Sequence, residues 1–307
     1  MHFKTLRPLF LCFLAIAIAF SVSLLPHPIK RKYDVALTAI FRNDGPWLKE
    51  WIEYYKLLGV EHFRLYNNAS NDNSLEVLQP YVEKGEITVV DWPSRDCQDL
   101  FQGFVYKTQV PAYDDAMQAL KGVAKWVVVV DTDEFIVPHK EATLNEFLAQ
   151  YNRHGGVAVH WVCYGTSGVK DLAEGQLLTE SLLMRSSDTD ESNQWEKSIV
   201  RPEFVKHGIN PHTFAMRRIA PLVNANFQKH EHCKTYCKDK IQVNHYHVRT
   251  ENYFLNNKIA KKQVLENRIL SSQEIERMLS MGNHHLDLER YIFRFIPTLK
   301  AKIHERH

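Results

Sequence analysis

The sequence predicts an α/β protein whose central sheet is covered by helices on both faces. Strand and helix patterns alternate from Tyr33 to Val130, which is typical of a doubly wound sheet. The four consecutive valines Val127 to Val130 indicate a central strand that is buried on both faces. Polar loops follow the strands at their carboxyl ends. In open sheets of this class, ligands bind at that edge.

The first half of the chain supplies most of the predicted sheet. The predicted strands there are 33–41, 62–66, 86–91 and the strand that contains the four valines. The predicted helices are 47–58, a helix that ends at Tyr81, and 104–120. Asp44 or Gly45 is expected to cap the first helix, Pro46 lies in its first turn, and Gly59 ends it.

The pattern changes after Pro138. We predict strands at 157–163, 197–205 and 241–246, and helices at 144–151, 252–266, 273–280 and 286–295. The polar stretch from Ser186 to Glu196 is interpreted as a mobile loop.

The amino terminus is interpreted separately from this fold. Leu9 to Leu25 is apolar apart from two serines, and basic residues flank it on both sides. The run is at the short end for a membrane span and exceeds the usual apolar core of a signal peptide. We interpret residues 1–32 as an uncleaved membrane-anchor helix with a short basic linker; a cleaved signal peptide is the alternative. The flanking charges do not fix the orientation.

Charge and cysteine content argue against two classes of protein, nucleic-acid-binding and disulfide-rich. With 38 basic and 36 acidic residues, the net charge of +2 gives no case for nucleic-acid binding. Five cysteines do not form a disulfide framework. Cys233 and Cys237, which lie close to His230, leave open a zinc site, a local disulfide or free thiols.

Three carboxylates follow the valine strand. Asp131 and Asp133 are two residues apart, so in an extended chain both side chains point the same way and can reach one hard cation. A loop of solvated acids is the alternative. The polar loops at Arg42 and at Asn67 belong to the same predicted edge, which favours a binding site.

Four stretches stand in order within roughly residues 34 to 262: DVALTAIFRND, WIEYYKLLGVEHFRLYNN, VVDTDEF and NHYHVRTENYF. Together they resemble the family 92 glycosyltransferases and their bacterial relatives. The resemblance implies a GT-A-like fold, a Rossmann-type mixed sheet with helices on both faces, over residues 33–270. Residues 33–138 would form the nucleotide-sugar half and 139–270 the acceptor half, followed by a C-terminal helical extension, 271–307. It also implies transfer of a hexose, often galactose from UDP-galactose, with inversion and Mn²⁺ or another divalent cation.

Site residues follow from the same resemblance. Asp131 and Asp133 match the metal and diphosphate motif, and His245 matches a distant histidine that completes the metal site. The matched nucleotide-binding residues are Arg42, Asn43, Asn67 and Asn68. Arg249 and Lys258 follow His245 and could reach the diphosphate. A cation there would offset the charge that grows on the leaving diphosphate.

The general base is less well defined. Glu134 and Glu196 are candidates, although Glu134 is better explained as a brace for its loop. Acids between 188 and 191 are further candidates, and His247 is interpreted as structural. Two alternatives to a transferase stay open. One is a nucleotidyltransferase, which the single glycine of the Arg42 loop disfavours; the other is an inactive sugar-binding membrane protein.

The expected partners are a UDP-sugar, a glycan or lipid-linked acceptor, and the membrane through residues 9–25. Asn68-Ala69-Ser70 is a formal glycosylation sequon, and a glycan there would obstruct the donor. This favours a bacterial inner-membrane protein whose domain faces the cytoplasm over a Golgi type II enzyme.

Overall fold

The computed structural model describes residues 30–94, 102–230, 237–260, 262–263, 267–283 and 287–305. Residues 33–307 group into one compact unit. The predicted anchor, residues 9–25, lies outside the described residues and stays a prediction. None of the described helices has the length and apolar character needed to cross a bilayer.

Nine strands of the described residues form one mixed sheet. They are β1 (Tyr33–Phe41), β2 (His62–Asn67), β3 (Ile87–Asp91), β4 (Ala124–Val129), β5 (Glu134–Pro138), β6 (Gly156–Cys163), β8 (Glu196–Val200), β11 (Leu222–Asn224) and β12 (Ile241–His245). Two small pairs lie outside it, β7 (Met184–Arg185) with β13 (Asp287–Leu288), and β9 (Val205–Gly208) with β10 (Phe214–Met216).

The α-helices are interspersed with these strands along the described residues, and one helix follows the last strand. They are α1 (Gly45–Leu57), α2 (Ser74–Glu83), α3 (Gln102–Phe104), α4 (Val110–Leu120), α5 (Leu144–Leu148), α6 (Leu178–Ser181), α7 (Glu251–Tyr253), α8 (Ser272–Asn283) and α9 (Ile296–His304). A π-helical segment, Val105–Gln109, joins α3 to α4, and another, Phe254–Ile259, follows α7.

The main sheet has the order β3-β2-β1-β4-β8-β6-β12-β5, with β11 beside β6. Strands β1 to β4 pair in parallel, as the alternating pattern of the first half predicts. Strand β8 runs antiparallel between β4 and β6, and β5 runs antiparallel to β12. The expected mixed α/β sheet is thus confirmed.

The sheet must curl, because β4 and β5 are close in sequence but far apart in strand order. Three strands separate them, which in a flat sheet means about 19 Å. The chain from Val129 to Glu134 spans about 17 Å at full extension, and it contains a turn. Curling brings the start of β5 back towards the end of β4, so residues 130–133 cross the carboxyl edge of the sheet.

The valine strand is buried on both faces, as predicted. Val128 packs with Trp51 and Tyr54 of α1 on one face. Val127 and Val129 pack with α4 on the other. This alternation follows from the two-residue period of a strand.

Two predicted elements differ in the structure. The strand expected at 197–205 ends at Val200, and a 3₁₀ turn, Pro202–Phe204, separates it from β9. Proline offers no backbone N–H to continue the ladder. The helix expected at 286–295 is wrong. Asp287 and Leu288 pair with β7, Tyr291–Arg294 is a 3₁₀ turn, and the helix begins at Ile296 with a proline in its first turn.

Candidate active site

The loop that carries the three predicted carboxylates lies between β4 and β5. The N–H of Glu134 donates to the carbonyl oxygen of Asp131 at 3.2 Å. Helix α1 supports this turn, since Trp51 Nε1 and Tyr55 Oη both donate to the carbonyl of Glu134, at 3.1 and 3.0 Å. Aromatic residues that the sequence indicates only as core therefore also position the loop.

A buried lysine of β8 contacts two of the carboxylates. Lys197 Nζ lies 2.7 Å from Oδ2 of Asp131 and 3.3 Å from Oε2 of Glu134. The other oxygen of Asp131 accepts hydrogen bonds from Gln109 Nε2 and Tyr113 Oη, at 3.1 and 3.0 Å. Glu134 Oε2 also accepts the N–H of Asp131 at 2.7 Å. Glu134 therefore braces the loop, as the sequence suggests.

Burial and charge act differently on these two acids. Burial raises the pKa of Glu134 to about 8, although Lys197 opposes the change. Burial would also raise the pKa of Asp131, but Lys197 outweighs it and holds that pKa below its ordinary value. Asp131 is therefore the anionic partner of Lys197.

Asp133 belongs to a second cluster, whose members differ from the residues that contact Asp131. The ligand atoms of Asp133, His245 and His247 lie within 4.8 Å of one another. His245 Nε2 is 3.7 Å from Oδ1 of Asp133, and Lys258 Nζ is 3.5 Å from Oδ2. Strand β12 carries His245 opposite Glu134 of β5, so the pairing of these strands holds the histidine beside the loop.

The electrostatics of this cluster suit a divalent cation. Burial lowers the pKa of His245 to about 4, and the positive charge of Lys258 lowers the pKa of His247, whose side chain is exposed, to about 3. Burial would raise the pKa of Asp133, but Lys258 together with Arg249 and the two histidines outweighs it, and the pKa falls below its ordinary value. Two neutral imidazoles beside an ionised carboxylate are in the protonation state that metal binding requires. The residues present therefore fit a divalent cation.

The structure brings together part of the predicted metal set. Asp133 and His245 lie in this cluster with His247, which the sequence reasoning interprets as structural. Asp131 is hydrogen-bonded away from the cluster, to Lys197, Gln109 and Tyr113.

Asp44 links the loop after β1 to residues 130–133, the loop between β4 and β5 that is called the metal loop below. It precedes α1, yet its side chain forms no capping hydrogen bond. Oδ2 accepts the hydroxyl of Thr132 at 2.9 Å, and Oδ1 lies 2.9 Å from Arg249 Nη1. The guanidinium of Arg249 also lies against the rings of Trp47 and Tyr253, 4.9 and 4.7 Å from their centroids, and the two rings meet edge to face at 5.5 Å. Arg249 is thus buried and paired, whereas Lys258 stays partly exposed beside Asp133.

The predicted nucleotide loops lie next to each other. Arg42 and Asn43 are exposed, and Asn43 Oδ1 accepts the N–H of Asn71 at 2.8 Å. Asn67 and Asn68 are buried. Asn67 Nδ2 donates to Asp91 at 3.3 Å, and Asn68 Nδ2 donates to the carbonyl of Trp92 at 2.8 Å. These two amides hold the loop itself, and Arg42 and Asn43 are the members that face solvent.

Glu196 is not brought to this site. It precedes Lys197 in β8, so its side chain points to the opposite face of the strand. There its Oε1 lies 3.2 Å from His230 Nε2, and its Oε2 lies 4.0 Å from His160 Nε2. Cys237 is buried nearby, with its N–H donating to His160 Nδ1 at 3.4 Å. Cys237 is a free cysteine, as the free-thiol alternative expects. Cys233 lies outside the described residues, so the zinc alternative stays open.

The sequence reasoning gave Lys197, Asp44 and His247 no contact with the loop that carries Asp131 and Asp133. Lys197 begins a predicted strand that also contains Ser198, Arg201 and Glu203, so the local pattern does not distinguish it as buried. The functions of Asp44 and His247 depend on contacts between distant segments and leave no local signal.

A mixed α/β sheet with a carboxylate and two imidazoles at the carboxyl edge defines a candidate metal-binding α/β protein. The model of glycosyltransferase family 92 matches residues 32–281, which is most of the chain. The chain belongs to glycosyltransferase family 92.

Known relatives carry related names. A glycosyltransferase family 92 protein of Ricinus communis is 27% identical over 225 residues, 71% of this chain and 36% of that protein. Galactan beta-1,4-galactosyltransferase GALS3 of Arabidopsis thaliana is 32% identical and covers 40% of this chain and 25% of its own. Beta-1,4-galactosyltransferase galt-1 of Caenorhabditis elegans is 30% identical, with 40% and 30% covered. The chain thus spans about a third or less of the length of these relatives.

Solved structures show only a distant likeness. S. aureus TarS 1-349 is 12% identical with a TM-score of 0.37, covering 86% of this chain and 73% of that chain. The mannosyltransferase PcManGT from Pyrobaculum calidifontis, in complex with GDP-Man and Mn2+, is 16% identical with a TM-score of 0.29, covering 47% and 42%. At these TM-scores the likeness indicates nothing about the function of this chain.

Proposed function

We propose that this protein transfers galactose from UDP-galactose to a glycan or glycolipid acceptor, with a divalent cation, Mn²⁺, and with inversion at the anomeric carbon. The observation that carries the proposal is the cluster of Asp133, His245 and His247 beside Lys258. Family membership supports glycosyl transfer on a GT-A-like sheet. The names of the Arabidopsis and Caenorhabditis relatives support galactose as the sugar.

The protein's own residues would prepare the donor site. Asp133, His245 and His247 would hold the cation, and Mn²⁺ accepts such a mixture of carboxylate and imidazole ligands. When bound, the cation supplies a Lewis acid that offsets the charge developing on the leaving diphosphate. Lys258, with its side chain 28% exposed, adds a positive charge on the same side.

Other residues would keep this geometry fixed. Lys197 orders the metal loop through Asp131 and Glu134. Asp44 binds Thr132 of the loop with one oxygen and Arg249 with the other. The loop is therefore held from both sides before any substrate arrives. Such preorganisation is a large part of electrostatic catalysis.

The test is release of UDP and formation of a glycosylated product. The purified full chain would be incubated with a panel of UDP-hexoses, a β-1,4-linked galactose oligomer and Mn²⁺, with and without EDTA. We expect transfer from UDP-galactose that EDTA abolishes. Asp133→Ala should lose this activity while staying folded, and Glu276→Ala, at an exposed position of α8, is the matched control. Full activity in Asp133→Ala, or no metal-dependent UDP release from any donor, would overturn the proposal.

We also propose that residues 9–25 anchor the protein and that the domain faces the cytoplasm of a bacterium. Asn68, the sequon asparagine, is 2% exposed, and its amide donates to Trp92 and Ser94. A glycan on this nitrogen would break those bonds, which supports a compartment without N-glycosylation. Labelling of cysteines introduced on either side of the run, with a membrane-impermeant thiol reagent, would contradict this if the domain side reacted in intact cells.

A further inference from the structure

An aromatic cluster extends from the candidate metal site along the same edge of the sheet. The ring of Trp161 lies 4.1 Å from that of His245, centroid to centroid. Trp161 is also 5.2 Å from the ring of His212, in an edge-to-face arrangement. Trp195 lies 4.8 Å from the same histidine. The three rings of Trp161, Trp195 and His212 therefore continue the site beyond His245.

Strand pairing places this cluster on the site face, which is the face of β8 that carries the side chain of Lys197. The N–H of Trp161 donates to the carbonyl of Trp195 at 2.9 Å, next to the paired strands β6 and β8. Trp195 is two residues before Lys197, so their side chains share a face. Although it is a large aromatic residue, Trp195 is 40% exposed. An exposed indole can pack against the apolar C–H face of a sugar ring while its edge stays in water.

His212 is held in one tautomer. Its Nδ1 lies 3.0 Å from the carbonyl oxygen of Glu196. A carbonyl can only accept, so Nδ1 carries the hydrogen and the neutral ring has its lone pair on Nε2. In the described part of the chain, no hydrogen-bond partner of Nε2 is found. The lone pair is therefore available to a ligand.

The protonation state agrees with this geometry. Burial lowers the pKa of His212 to about 4, and Lys197 adds to the change. This value is close to that of an ordinary aspartate or glutamate. His212 is thus unprotonated near neutral pH and is as basic as a carboxylate.

The two acids named as candidate bases are less suitable. Glu134 is fully buried and bonded to the loop backbone and Lys197. Glu196 lies on the opposite face of β8 with His230. His212 combines a place on the site face with an available lone pair.

We propose that Trp195 and His212 form the acceptor subsite, in which a galactose ring lies on Trp195 and its nucleophilic hydroxyl gives its proton to Nε2 of His212. The inference rests on the proposed function. The hydroxyl oxygen forms a bond to the anomeric carbon of the donor as the bond from that carbon to the diphosphate oxygen breaks. The electron pair of the broken bond leaves with UDP, and the hydroxyl proton moves to His212, so atoms and charge balance.

The test uses the full chain and a β-1,4-linked galactose oligomer as the acceptor probe. His212→Asn keeps a side-chain N–H near the Glu196 carbonyl but removes the basic nitrogen. We expect its kcat for transfer to fall at least about 100-fold, with unchanged binding of UDP in the presence of Mn²⁺. Trp195→Ala should raise the KM for the oligomer at least about tenfold, with a much smaller change in kcat, and Trp195→Phe should restore part of the affinity. His207→Asn, at an exposed position of β9, is the matched control.

Oligomer binding, followed by calorimetry with UDP and Mn²⁺ present, separates this inference from the proposed function. If the wild type binds the oligomer without transferring to it, and Trp195→Ala does not bind, the subsite stands and the proposed reaction fails. If His212→Asn retains wild-type kcat, or Trp195→Ala binds the oligomer as the wild type does, the inference is overturned.

Discussion

Lys197 Nζ lies 2.7 Å from Oδ2 of Asp131, and the lysine side chain has no exposed surface. Asp131 together with Glu134 raises the pKa of this lysine despite burial, so the ammonium stays charged. The pair joins the middle of the sheet to the loop that carries Asp133. It therefore connects the stability of the fold to the geometry of the site.

Replacing Lys197 should destabilise the fold strongly. Lys197→Met leaves Asp131 and Glu134 without their buried cation, and breaking such a pair costs roughly 3–5 kcal/mol. The measurement is the free energy of unfolding in urea. Lys206→Met, at an exposed position of β9, is the control, and equal stability of the two variants would contradict the prediction.

His247 should contribute to cation affinity even though its side chain is exposed. His247→Ala removes one of three ligand groups, so the Kd for Mn²⁺ should rise at least about tenfold, or about 1.4 kcal/mol. Titration calorimetry with Mn²⁺ measures this directly. A Kd equal to that of His207→Ala would show that His247 is not a ligand.

Replacing Arg249 by lysine should lower the free energy of unfolding. Arg249→Lys keeps a charge near Asp44 but loses the planar group that contacts the rings of Trp47 and Tyr253, at a cost of roughly 2 kcal/mol. A double-mutant cycle with Asp44→Asn separates the stacking from the ion pair. Unfolding energies that match the wild type for Arg249→Lys would exclude a role for the stacking.

Asp72 should make stability depend on pH in the acidic range. Partial burial would raise its pKa, but hydrogen bonds from Ser74 and from the N–H of Gly45 outweigh it and hold the pKa below its ordinary value of 3.8. A lowered folded pKa means that this stabilisation is present above 3.8 and is lost as the pH falls through the folded value.

Urea unfolding of Asp72→Asn and wild type, from about pH 6 to about pH 2, measures this contribution. The two unfolding energies should differ near neutral pH and converge in acid. The exposed carboxylate of Glu76 provides the control Glu76→Gln. A constant difference between wild type and Asp72→Asn at every pH would refute the prediction.

Much of the fold could be predicted because its signals are local. The valines of β4 and the alternation of strands and helices in the first half describe the parallel part of the sheet. Lys197 could not be assigned in this way, because it is 66 residues from Asp131. Asp44 has the local features of a helix cap, but Thr132 and Arg249 bind its carboxylate instead. The partners of a buried charge are set by strand order, which sequence patterns do not specify.

Only the four residues 130–133 connect β4 and β5, which lie at different positions in a curled sheet. The connection is therefore short for the distance that it spans. Its length sets which residue of β5 faces His245, since Glu134 is the partner of that histidine. One residue more or fewer would shift this register, and a one-residue shift turns side chains to the opposite face. The side chains of β5 would then turn over relative to β12, and the loop before β5 would no longer hold Asp133 beside His245. The spacing between the two strands, as well as the identity of the acids, is therefore part of what specifies the cation site.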